Sequence, residues 1–175
     1  SSGTGHQAHS SSATFFDYDN DGLLDLFVTN VGQYTSDELR QASNDGVNYE
    51  FYDGFSDAFA GHLKPDRFEQ SVLYHNEGDN RFLDVSQKVG LQDMGWAGDA
   101  AAGDINGDGW VDLFVLNMQG DDQYYQNQEG KRFNNIGRKV FPKTSWGSMG
   151  IKISDWNNDG LMDIYITDMH SDMGE

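Results

Sequence analysis

Short apolar runs recur along the chain, each lying directly behind a polar, glycine-bearing stretch. Leu26-Phe27-Val28-Thr29, Leu113-Phe114-Val115-Leu116 and Ile164-Tyr165-Ile166-Thr167 are short and rich in β-branched and aromatic residues, so they read as strands. Apolar side chains on both faces predict strands covered from both sides, as in a stacked sheet. Smaller residues precede each polar stretch, for instance Ser12-Ala13-Thr14 and Ala100-Ala101-Ala102-Gly103, which suits an inner strand where sheets crowd together. Two more strands follow in the first unit, from Ser71 to Asn76 and from Arg81 to Val85, joined by the turn Glu77-Gly78-Asp79-Asn80. Their counterparts in the second run from Gln123 to Asn127 and from Arg132 to Ile136.

The polar stretches between the first two strands are three copies of one loop. Asp17-Tyr18-Asp19-Asn20-Asp21-Gly22-Leu23-Leu24-Asp25, Asp104-Ile105-Asn106-Gly107-Asp108-Gly109-Trp110-Val111-Asp112 and Asp155-Trp156-Asn157-Asn158-Asp159-Gly160-Leu161-Met162-Asp163 share the form Asp-x-(Asp/Asn)-x-Asp-Gly-x-x-Asp. Oxygen-bearing side chains at positions 1, 3 and 5, with a glycine at 6 for the sharp turn, are what a hard cation such as Ca²⁺ requires of a short segment. An EF-hand fits positions 1 to 6 but needs a bidentate glutamate at position 12. That position falls on Val28, Val115 and Ile166, inside the strands. Metal-free Asp-Gly turns are the plainer alternative, and three aligned copies weigh against it.

Asp104 and Asp155 stand 51 residues apart (155 less 104). Tyr74, Asn76 and Arg81-Phe82 match Tyr125, Asn127 and Arg132-Phe133 at the same offset. Two independent landmarks with one period mark a repeat, and four antiparallel strands in about fifty residues is the pattern of a β-propeller blade. The expected fold is therefore all-β: a partial β-propeller of about two and a half blades. Blade 1 would span about residues 9–95, blade 2 about 96–145, and the start of blade 3 about 146–175. Closed propellers need at least about four blades, so a longer parent chain or partner chains are expected to cover the open ends.

The first unit carries an insertion, residues 31–70. Thr35-Ser36-Asp37-Glu38 resembles a capping box and predicts a short helix through Ala42. The aromatics from Tyr49 to Phe59 are expected to pack over the blade's outer edge, with a binding surface as the alternative. Trp96 and Trp146, at similar distances before the second and third loops, are expected to be blade-packing residues, with sugar stacking as the alternative.

Composition narrows the function classes. The net charge is −18, from 29 acidic against 11 basic residues, which argues against nucleic acid or anionic membrane surfaces as partners. Ten of the acids lie in the three loops, where bound cations would offset their repulsion. There is no cysteine, hence no disulfide and no thiolate metal site. No segment is apolar enough to span a membrane. The five histidines, His6, His9, His62, His75 and His170, form no metal-binding pair, and no His-rich cluster is expected beside the loops. Neither a Gly-x-Ser-x-Gly motif nor another nucleophile motif occurs, so an enzyme is not expected. The start, Ser1 to Ser12, is Ser-, Gly- and His-rich, and its first half is set aside from the fold.

The phrases from Phe16 to Gly32, Asp57-Ala58-Phe59-Ala60-Gly61-His62-Leu63, Ser71 to Asn76, and Thr167-Asp168-Met169-His170-Ser171-Asp172-Met173 resemble FG-GAP/VCBS-type propeller repeats. The likeness is to the cartilage acidic protein-like members associated with the ASPIC/UnbV domain, and it runs through nearly the whole chain. It implies a Ca²⁺-binding, integrin-α-like propeller serving adhesion or interaction in an extracellular, cell-surface or periplasmic setting. By that likeness each loop offers side chains at positions 1, 3, 5 and 9 and a backbone carbonyl at 7. The ligands would be Asp17, Asp19, Asp21, Leu23 and Asp25; Asp104, Asn106, Asp108, Trp110 and Asp112; and Asp155, Asn157, Asp159, Leu161 and Asp163. About three Ca²⁺ sites are implied. The first loop, with four carboxylates, is expected to bind most tightly, since Asn106 and Asn157 bring less charge. The expected partners are a protein, a glycan or further blades; a lectin-like propeller is the alternative function, and a hydrolase comes third.

Overall fold

The computed structural model describes residues 2–92 and 95–169. The strands are β1 (Ser10–Phe16), β2 (Asp25–Asn30), β3 (Thr35–Asn44), β4 (Val47–Gly54), β5 (Val72–Asn76) and β6 (Phe82–Asp84). They are followed by β7 (Ala97–Gly103), β8 (Asp112–Asn117), β9 (Gln123–Asn127), β10 (Phe133–Asn135), β11 (Ser148–Ser154) and β12 (Asp163–Asp168), with one helical turn, α1 (Gly137–Val140), before β11. The antiparallel order β1-β2-β5-β6 forms one four-stranded sheet and β7-β8-β9-β10 the next, while β11-β12 opens a third. This is the arrangement of a partial β-propeller, with each repeated loop joining its sheet's first two strands.

Alternation along β8 shows how the sheets stack. Leu113 and Val115 point into a core shared with Phe27 and Leu73 of the first sheet and Val85 just beyond β6. Phe114 and Leu116 point the other way, onto Tyr124 and Ile151 toward the third sheet. Every residue of β8 is buried, because a strand with a sheet on each side must be apolar on both faces. In β12 the same sequence pattern leaves Tyr165 70% exposed, since only one of its faces meets another sheet. The inner strands touch: Ser11 and Thr14 hydroxyls donate to the carbonyls of Ala97 and Ala100 at 2.6 and 2.9 Å. Asp99 accepts from the Ser12 hydroxyl at 2.8 Å and from the Ile151 amide at 3.2 Å, so one carboxylate bridges three blades.

The insertion differs from expectation. Residues 35–44 are not helical but form β3, paired with β4 in a two-stranded hairpin. The segment has no apolar stripe with which a helix could dock, whereas Asp45-Gly46, both at positive φ (50° and 80°), makes the tight turn that sets a hairpin. Tyr49, Phe51 and Tyr52 stand exposed on this ribbon and do not cover the blade edge. Phe55 lies beneath the Arg67 guanidinium, 3.9 Å from ring centroid to cation. Arg67 and Lys64 both pair with Asp57, whose pKa they hold down to about 2. Trp96 is buried as expected, against Gly32 and Gly61, where any Cβ would fall within 3 Å of its indole. Trp146 instead is 64% exposed. At the start of the chain, the Ser2 carbonyl accepts from the Phe82 amide at 2.8 Å, so even this segment runs against β6.

Candidate metal centres

Each loop closes on its first aspartate. Asp17 accepts from the amides of Asp21 and Gly22 at 3.2 and 2.9 Å. Asp104 accepts from Asp108 and Gly109 at 3.0 and 2.8 Å, and Asp155 from Asp159 and Gly160 at 3.0 and 2.8 Å. The fifth residue of each loop, Asp21, Asp108 or Asp159, accepts from the amide of the seventh, Leu23, Trp110 or Leu161. The sixth position, glycine in all three, lies at φ of 86° to 89°. The fourth is left-handed too, at Asn20, Gly107 and Asn158, which explains why only Asn and Gly stand there.

The ninth aspartate has a second task. Asp25 and Asp112 are fully buried at the head of β2 and β8 and accept the amides of Asn76 and Asn127, both at 2.8 Å. Burial pushes both carboxyls up, and these amide hydrogen bonds oppose the shift. Asp163 is only half-buried and accepts from the Trp156 amide at 3.2 Å.

In the first loop, carboxylate oxygens of Asp17, Asp19 and Asp21 lie within 4.8 Å of one another, and Asp19 also groups with Asp25 and His75. Asp19 Oδ1 is buried without a hydrogen-bond partner. A buried carboxylate oxygen left unsatisfied among like charges is costly unless a cation sits beside it, so these residues fit a metal ion. The second and third loops carry Asn106 and Asn157 at that place, whose amides donate to Asp108 and Asp159 at 2.9 and 3.0 Å. Each amide thereby satisfies one oxygen of the fifth-position aspartate of its own loop.

The loops are also tied to one another. Asn20 donates to the Gly109 carbonyl at 3.3 Å, linking loops one and two. Asn127 donates to its own loop at the Val111 carbonyl (2.9 Å) and to the neighbouring loop at the Tyr18 carbonyl (2.8 Å). Gly130 faces Asp19 so closely that a Cβ would lie 2.8 Å from its Cα.

One histidine stands beside an acidic loop. His75 Nδ1 is 3.1 Å from Asp25 Oδ1 and 3.6 Å from Asp19 Oδ2. The signal was the strand pairing: Leu26 opposite Tyr74 brings the next residue of β5, His75, beside the head of β2. His9 is structural, with Nδ1 2.9 Å from Glu69 Oε1 and Nε2 3.1 Å from Thr35 Oγ1, holding the hairpin base. His170 lies outside the described residues.

Residues 52–115 and 104–166 match the FG-GAP-like repeat family. Over 103 residues the chain is 29% identical to a protein named cartilage acidic protein 1 from Xenopus tropicalis. That alignment takes in 57% of this chain and only 16% of the relative. Among the described residues no helix is long and apolar enough to cross a membrane.

Proposed function

Because this chain belongs to the FG-GAP-like repeat family, we propose that it is a calcium-binding β-propeller module that serves interaction or adhesion and not catalysis. The buried, partnerless Asp19 Oδ1, set among the carboxylates of Asp17, Asp21 and Asp25, carries this reading. One Ca²⁺ would be held in each loop by the residues at positions 1, 3, 5 and 9 and the carbonyl at 7. When bound, the ion supplies positive charge that offsets the clustered carboxylates and completes the turn between the first two strands. The chain's own contribution is to preset that turn with amide hydrogen bonds and left-handed Asn and Gly residues.

An extracellular or periplasmic home accords with this role, since millimolar calcium saturates loop sites of modest affinity. The name of the similar cartilage protein agrees with such a setting. The partner is a protein or glycan, or further blades that cover exposed faces such as that of Tyr165 and Trp156. A glycan-binding role is favoured by the exposed ribbon, where Tyr49 and Phe51 lie 6.0 Å apart with rings tilted by 35°.

Calorimetric titration with Ca²⁺ and thermal melts with and without a chelator test the metal claim. Saturable binding near three equivalents and a fall of roughly 10 °C or more on chelation are expected, in line with binding linked to folding. A melt that ignores the chelator would sink the structural role of calcium.

A further inference from the structure

At the end of each blade remote from the acidic loop, the first strand begins opposite the residue where the second ends. In the first blade that pair is Ser10 and Asn30, and the serine hydroxyl donates to Asn30 Oδ1 at 2.8 Å. The same register sets Ala97 opposite Asn117 in the second blade, and alanine has no hydroxyl to give. Asn117 is 2% exposed, and its orientation is fixed because Nδ2 donates to the Asp121 carbonyl at 2.6 Å. Its Oδ1 is consequently buried with no hydrogen-bond partner among the described residues, and so is Gln119 Oε1 two residues on. Both residues line one cleft of about 260 Å³, smaller than the roughly 300–1,000 Å³ that drug-sized ligands occupy. Gly95 flanks it: a Cβ there would lie 2.0 Å from Asn117 Oδ1, so any other residue would cap that oxygen.

Buried acceptors without donors are costly, and two in one cleft call for an occupant that brings N–H groups. Asp121 and Asp122 follow directly in the chain, and buried Asp122 accepts the Asn117 amide at 2.9 Å, so positive charge is favoured here as well. Arg138 pairs with Asp121 but is 86% exposed, where solvent screens its charge. The volume suits a single side-chain head group. Guanidinium and ammonium both donate through several N–H bonds and accept none.

We infer that this cleft at the end of β8 receives a basic side chain, arginine or lysine, of a protein partner, with Asn117 Oδ1 and Gln119 Oε1 as its acceptors. The inference rests on the reading of the chain as an interaction module and gives that module's partner a chemistry. It does not depend on what the acidic loops bind.

The test titrates the whole chain, ¹⁵N-labelled and in excess Ca²⁺, with Nα-acetyl-arginine amide, Nα-acetyl-lysine amide and the uncharged Nα-acetyl-citrulline amide. The side-chain amide resonances of Asn117 and Gln119 are followed. Saturable shifts at both residues with at least one basic probe are expected, with citrulline weaker by about 10-fold or more. Ala97→Ser, which copies the first blade's donor, should fill Asn117 Oδ1 and weaken the basic probe by about 10-fold while the melting temperature holds or rises. Gln119→Leu, which removes the second acceptor, should weaken it by a similar factor with unchanged circular dichroism. The absence of saturable shifts, an equal response to citrulline, or unchanged affinity in either folded variant overturns the inference and leaves a water-filled niche only. Shifts of Asn117 and Gln119 on adding Ca²⁺ alone, with the basic probes then excluded, overturn it in favour of a further cation site. The expected probe binding in a chain whose melt ignores a chelator would uphold this inference while sinking the structural role of calcium, and the opposite pair of results would do the reverse.

Discussion

Asn127 is the side chain on which two blades most directly depend. It is buried, and its amide donates to the Val111 and Tyr18 carbonyls while its oxygen accepts the Gly130 amide at 2.9 Å. Asn76, its counterpart, makes the within-blade bond to Leu24 at 2.9 Å and accepts from Gly78 at 3.0 Å, in a more exposed setting. Each buried polar group left without a partner costs about 1–3 kcal/mol. Asn127→Ala is thus expected to lower stability by about 3 kcal/mol, clearly more than Asn76→Ala, in urea unfolding at fixed calcium. Equal losses would mean that the bond to the neighbouring loop carries no weight.

At the scale of elements, the hairpin β3-β4 hangs from a neck whose two sides are already joined. The Phe55 amide donates to the Tyr34 carbonyl at 3.1 Å, and the Gln33 amide to the Arg67 carbonyl at 2.8 Å. None of the aromatic residues described on the ribbon's strands belongs to the two cores. Replacing residues 35–54 with a two-residue Asn-Gly turn is therefore expected to preserve the fold, moving the melting temperature by less than about 5 °C and leaving the calcium response intact. Loss of cooperative melting in that variant would show that the ribbon supports the blade. A helix over 35–42 was the natural reading of Thr35-Ser36-Asp37-Glu38. Local capping signals cannot prevail where the segment has no face to bury and Asp45-Gly46 offers a turn to a strand-forming partner.

For the whole molecule, the blades are joined by polar contacts as well as by apolar cores. Asp122 is buried between the second and third sheets, accepting from the Asn117 amide at 2.9 Å and the Ser148 hydroxyl at 2.8 Å. Burial pushes its carboxyl above the ordinary aspartate range, against the pull of those hydrogen bonds. A group whose pKa is raised by folding contributes stability below its unfolded pKa and loses it as pH rises through the folded one. Asp122→Asn removes the ionisation, so its stability relative to the native chain should rise as pH climbs from about 4 to 7. Paired denaturation curves at saturating calcium measure the difference, and a pH-independent gap would contradict the burial effect.

Repeat, period and loop were legible from residues alone. Asp-x-(Asp/Asn)-x-Asp-Gly-x-x-Asp followed by a two-faced apolar run fixes a turn and a buried strand by local chemistry, and the 51-residue offset copies them into blades. Other features depended on which strands lie side by side. His75 reached the first loop only because β5 pairs with β2, and Asn127 bridged two loops only because the second blade stacks on the first. Trp146 and Tyr165 carry the sequence signs of buried residues yet stand exposed, since burial requires a neighbour that the residue's own segment does not supply. Short-range stereochemistry was therefore written in the sequence, while contacts across strands and blades were decided by the tertiary structure, because they join atoms that only folding brings within reach.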